Sequence, residues 1–219
     1  TMNMLYYFFS VLENGSKELF ENLNIWKEEK YRKLQGTYPV IFLSFADIKG
    51  RNFAIVRKKM FQSLANLYSD YRFLLKKELF DEEERAFFYR ISVDMDDADA
   101  AKSLHQLSRY LYKYYGKKVI ILLDEYDTPM QEAYFHKYWN EMTDFMRELF
   151  QSAFKTNPYL ERAIMTGVTR VSKESVFSDL NNLTVVSSTT KLYETAFGFT
   201  QKEVFHALQE FGMEDKKEE

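Results

Sequence analysis

Residues 119–129 read VIILLDEYDTP, and this stretch decides the fold. The first five side chains are all aliphatic, so no face of an extended chain here is polar. Such a run predicts a strand buried on both faces, the mark of a parallel sheet. Two further runs read the same way, VIFLSF at 40–45 and AIMTGV at 163–168, and a weaker one, TVVSS, lies at 184–188. Segments of helical periodicity separate them. Over 53–79, Phe53, Val56, Met60, Leu64, Leu67, Tyr71 and Leu74 recur at spacings of three and four. Residues 100–115 form another such segment, stopped by Gly116, and 130–156 a third, ended by the turn Asn157-Pro158. Thr200 with Glu203 is a capping box opening a last helix from Gln201 to about Phe211, with Gly212 as its stop. Strands alternating with long helices predict an α/β domain with helices on both faces of the sheet.

The central run also carries chemistry. Hydrophobics ending in Asp124-Glu125 at a strand's carboxyl edge are the pattern of a Walker B strand. In open α/β sheets ligands bind outside the carboxyl ends of the strands. A carboxylate there can hold Mg²⁺, often through water, and the next can orient an attacking water. Asp124 is thus the expected metal ligand and Glu125 the expected catalytic residue. The plainer alternative makes both mere polar residues at a strand end, with Asp127 an N-cap ahead of Pro129. AIMTGVTR ends at the same edge, where Thr166 could hydrogen-bond a nucleotide phosphate and Arg170 could neutralise transferred charge. Taken alone, Arg170 reads more simply as a surface arginine answering acidic neighbours.

Composition narrows the classes. With 219 residues, 46% hydrophobic, 20 Phe and 16 Tyr, the chain can bury a sizeable core. Only 7 Gly and 3 Pro argue against a sandwich of many tight turns. A net charge of −3 gives no direct nucleic-acid signal, and the basic run Arg57-Lys58-Lys59 falls on a helix as a solvated face. Without cysteine there are no disulfides and no thiol chemistry, which fits a cytoplasmic protein. No apolar run approaches the ~20 residues of a membrane span. The acidic runs 81–84 and 94–99 do not make an EF-hand, because Asp99 stands where its glycine belongs; they read as loops and helix starts. His105, His136 and His206 are too scattered for a metal site.

VIILLDEYDTPMQEAY, NPYLERAIMTGVTRVSKESVFSDLNNL and FGFTQKEV, in that order, resemble the bacterial AAA-ATPase-like proteins, and YPVIFLSFADIKG resembles that family's second strand. These are P-loop ATPases, often with an appended PD-(D/E)XK nuclease-like domain. The resemblance implies a three-layer P-loop NTPase core of the additional-strand type. It implies Mg²⁺ with ATP as cofactor, Asp124 and Glu125 as Walker B, and Arg170 in the sensor region. Ser172, Lys173, Glu174 and Ser175 match the family's motif after the sensor strand, without a role the residues reveal. In the family, the helix matching MNMLYYFF directly follows the phosphate-binding loop. None of the seven glycines here begins or completes a GxxxxGK[ST]. The expectation is therefore a core over 1–212, entered after its first strand and phosphate loop and inactive in this form, with 213–219 a charged tail or linker. The runner-up is a non-catalytic scaffold that kept the ATPase fold. A nuclease is rejected, since Glu214-Asp215-Lys216 lies in a tail with no strand to hold it.

Overall fold

The computed structural model describes residues 2–168, 177, 180, 183–187, 190–193, 198–214 and 216. The chain divides into two compact units, Thr1–Leu180 and Asn181–Glu219.

The first unit is built on a parallel sheet of β1 (Val40–Ser44), β2 (Val119–Asp124) and β3 (Leu160–Met165), in the order β1-β2-β3. β2 is central, and its five aliphatic side chains are all buried, as strands covered on both faces require. Register pairs Ser44 with Asp124 and Leu123 with Met165, so all three carboxyl ends meet at one edge. On one face Val40, Ile120 and Leu122 form a core with Met2 of α1 (Met2–Phe9), flanked by Leu5, Tyr6, Phe42 and Ile164. The alternate set, Ile41, Leu43, Ile121 and Leu123, is buried as well. There α6 (Asp97–Tyr115) contacts β2, with α4 (Phe53–Asp70) and α8 (Trp139–Phe150) packed against it. The architecture is the expected α/β one and is consistent with a P-loop-type core.

Several expected boundaries move. The stripe from Val56 to Leu74 is buried throughout, but the α-helix stops at Asp70 and a 3₁₀ turn, Arg72–Lys76, carries it on. The short α2 (Asn24–Lys27) and α3 (Glu29–Arg32) precede β1. The run 81–84 opens α5 (Glu82–Arg90) with a capping box between Asp81 and Glu84, and Asp96 N-caps α6, which starts at Asp97 rather than at residue 100. The expected single helix over 130–156 is α7 (Thr128–His136), α8 and a π turn, Gln151–Lys155. Lys137 breaks it with a left-handed φ of 65° that no Gly or Pro announces. β3 begins and ends three residues before its expected 163–168 span, since Glu161 and Arg162 are exposed and interrupt the apolar pattern. The weaker strand expected over 184–188 is not one: 183–187 has no strand, and Ser188 lies outside the described residues.

In the second unit α9 (Gln201–Glu210) starts with the expected capping box, in which the backbone N–H groups of Thr200 and Glu203 each donate to the other's side chain. None of its residues is buried.

Candidate nucleotide site at the carboxyl edge of the sheet

Asp124 is the last residue of β2 and half-buried. Its carbonyl accepts from the N–H of Phe45 at 2.9 Å, extending the β1–β2 ladder past Ser44. From the other side, the N–H of Thr166 donates to the Leu123 carbonyl at 2.9 Å and that of Tyr126 to the Thr166 carbonyl at 3.0 Å. These two bonds carry the β2–β3 register beyond Met165. They bring the Thr166 hydroxyl to Asp124 Oδ1, to which it donates at 2.5 Å. Two of the residues expected at the site, from different strands, are thus in direct contact.

Glu125 follows on the exposed side of the same turn, with φ 51°. A non-glycine residue in the left-handed region costs about 1–2 kcal/mol, and such strain concentrates at functional sites. The Thr128 hydroxyl donates to Glu125 Oε2 at 3.3 Å, and the Thr128 N–H to the Glu125 carbonyl at 3.1 Å. The turn therefore closes on itself as α7 begins, with Pro129 in that helix's first turn.

Asp127 departs from the N-cap role that the plainer alternative gives it. It occupies the N-cap position of α7 but makes no capping bond, at φ −86° and ψ −12°, away from the extended conformation that capping uses. It is 1% exposed, and Gln131 Nε2 donates to its Oδ2 at 2.8 Å. A Cβ on Gly167 would lie 2.5 Å from Asp127 Oδ1 and 3.0 Å from Tyr126 Cε1. Sequence reasoning missed this contact. The available signal was a glycine directly after Thr166, where only the absence of a side chain permits so close an approach.

Arg170 and the motif Ser172–Ser175 lie outside the described residues. The segment carrying them resumes at Phe177, whose ring stacks on Phe150 at 5.7 Å and meets Tyr126 edge-on at 5.4 Å.

The donors at this edge, Asp124, Glu125, Thr166 and Ser44, are all hard oxygens, the chemistry that magnesium takes. Among the described residues no three His, Cys, Asp or Glu side chains gather into a metal cage.

A family model described as "Predicted AAA-ATPase", AAA-ATPase-like, matches residues 1–177. The chain belongs to the AAA-ATPase-like family. A relative from Azotobacter chroococcum mcd 1, called "Uncharacterized protein in vnfD 5'region", is 31% identical over 100 residues. That match covers 45% of this chain and 19% of the relative, so the chain spans well under two thirds of it. No solved structure gives a significant match. Among the described residues no helix is long and apolar enough to cross a membrane.

Proposed function

We propose that the AAA-ATPase-like core of this protein, completed by a phosphate-binding loop that these 219 residues do not contain, binds and hydrolyses Mg-ATP at the carboxyl edge of its sheet, in the cytoplasm. The observation that carries the reading is the bond from Thr166 to Asp124 across two strand ends, with Glu125 beside it on a strained turn. Asp124 is the residue to take the ion, directly or through water, and the Thr166 hydroxyl orients its carboxylate. Bound magnesium would supply neutralisation of charge on the β- and γ-phosphates. Glu125, exposed and held by its own turn, is placed to orient water for in-line attack on the γ-phosphate. Arg170, on the segment between Val168 and Phe177, is assigned to stabilise charge on the transferred group. The phosphates themselves need a nest of backbone N–H groups and a lysine. No GxxxxGK[ST] loop occurs in these 219 residues.

The test is Mg-ATP calorimetry on this chain and on one extended upstream through a phosphate loop, each with Asp124→Asn and Glu125→Gln. The expected result is binding by the extended chain, weakened by Asp124→Asn. Glu125→Gln should keep binding but lower turnover by about 100-fold or more. Tight binding by the short chain that ignores Asp124 would overturn the site. Binding by neither would put the scaffold reading in its place.

A further inference from the structure

We propose that Asp127 is a positioning residue for the Thr166–Asp124 pair, and that position 167 is glycine so that the Asp127 carboxylate can close on the loop behind β3. The geometry stands by itself, while its consequence for nucleotide binding rests on the function proposed above.

Thr166, Gly167 and Val168 lead the chain away from the end of β3. Two backbone bonds fix Thr166, while Gly167 is exposed and Val168 is 89% exposed, so hydrophobic burial does not hold these two residues. What meets the loop is a wall made by Asp127 and the ring of Tyr126. A Cβ at position 167 would stand 2.5 Å from Asp127 Oδ1 and 2.8 Å from its Cγ, closer than real Cβ atoms come to anything. The wall is rigid. Asp127 is buried, its Oδ2 accepts from Gln131, and its carbonyl accepts from the Gln131 N–H at 2.9 Å in the first turn of α7. Sequence logic gives Asp127 the work of an N-cap, and the structure shows it making no capping bond. Its carboxylate bonds the Gln131 side chain of its own helix through Oδ2 and turns Oδ1 toward Gly167 on the neighbouring strand's loop.

The consequence falls on Thr166. Its hydroxyl reaches Asp124 Oδ1 at 2.5 Å, and hydrogen bonds weaken steeply with misalignment. Displacing Gly167 by a few tenths of an ångström moves the peptide that sets the Thr166 side chain. Asp127 thereby acts on the metal-binding carboxylate through Gly167 and Thr166, without touching ion or nucleotide. Groups that orient a metal ligand from behind are worth about 10–100-fold in metal affinity.

Two measurements test this, one in the chain alone and one in the upstream-extended protein. A crystal structure of Asp127→Ala should show Thr166 Oγ1 beyond hydrogen-bond distance of Asp124. Asp127→Ala and Gly167→Ala should each raise the Mg²⁺ concentration for half-maximal ATP turnover by about ten-fold, leaving the KM for ATP within about two-fold. The two changes should not add, because removing the carboxylate makes room for the new methyl. A purely structural role would lower the melting temperature and leave the Mg²⁺ requirement where it was. Should Gly167→Ala fail to fold, Asp127→Ala decides the Mg²⁺ arm, with the isosteric Asp127→Asn, which keeps the wall, expected to stay at the wild-type requirement. An unchanged Thr166–Asp124 separation together with an unchanged Mg²⁺ requirement would overturn the proposal. If the extended chain binds no Mg-nucleotide, the function above falls, and the crystallographic separation alone decides the positioning.

Discussion

β1 and β3 flank the same central strand in parallel, yet they are held in different ways. β1 is held by burial: Val40, Ile41 and Leu43 are buried and Phe45 just beyond is too. Its start is latched by the Tyr71 hydroxyl, which donates to the Val40 carbonyl at 2.6 Å. The loop after it is tied to α7 and to the start of α8, with the Gly50 N–H donating to Glu132 at 3.0 Å and the hydroxyl of Tyr138, just ahead of α8, to the Gly50 carbonyl at 2.8 Å. β3 has no fully buried residue, shows a register irregularity against β2, and pairs with β2 alone among the described residues. Beyond its ladder to β2 and the half-buried Ile164, its anchors lie at its two ends. Tyr159 packs against Tyr112 and His105 at the start, and Thr166 and Gly167 are gripped at the finish. A strand held through its length serves as scaffold. One that is half-buried and paired on one side among the described residues is held less firmly, and it is the one that leads into Thr166.

The largest expected effect comes from removing equal volume on the two sides. Ile41→Ala, at a fully buried site, should cost about 3–4 kcal/mol in urea unfolding. Ile164→Ala, at a half-buried site packed on the α1 core, should cost about 1 kcal/mol. Equal losses would mean that β3 belongs to the core as firmly as β1 does, and the contrast would collapse.

A smaller effect separates stability from chemistry at the end of β2. Glu125→Gly relieves a φ of 51°, a gain partly offset by the greater chain entropy of glycine and the lost bond from Thr128. The expected change is a stability unaltered or raised by up to about 1 kcal/mol. ATP turnover in the extended protein should fall by about 100-fold or more. Paired melting and phosphate-release measurements check it. A clear loss of stability would show that the carboxylate holds the turn together, and would remove the argument that the strain serves chemistry.

How much of this was legible follows from what each signal depends on. β2 stands where its aliphatic run put it, because burial on both faces needs no partner to be recognised. The start of β3 was hidden because Glu161 and Arg162 lie on an exposed strand, where charge is permitted and the apolar pattern fails. Lys137 ends α7 in a left-handed conformation that its side chain does not announce. At the site, Asp124, Glu125 and Thr166 could each be picked out by type and place, but their meeting depends on the β2–β3 register. Asp127 against Gly167 was the least legible, since a void that only glycine leaves becomes visible once both loops are placed.

The smallest effect probes the near end of β3. His105 lies edge-on to Tyr159 at 5.8 Å, and its pKa is held below the usual value, first by burial and then by the Arg109 guanidinium on the same helix. The folded state therefore binds a proton at His105 less readily than the unfolded chain. The contribution is fully present above the ordinary histidine value of about 6.5 and is lost as pH falls from there through the depressed folded value. Urea midpoints followed downward from pH 8 should drop across that window, and His105→Gln should flatten this part of the profile. If β3 is held at its ends, amide exchange should quicken first around Leu160 and Ala163, ahead of Ile41 and Leu43. A simultaneous response of both strands would mean that the acid effect is global, with Tyr159 no separate latch. A profile unchanged by His105→Gln would place the titrating group elsewhere.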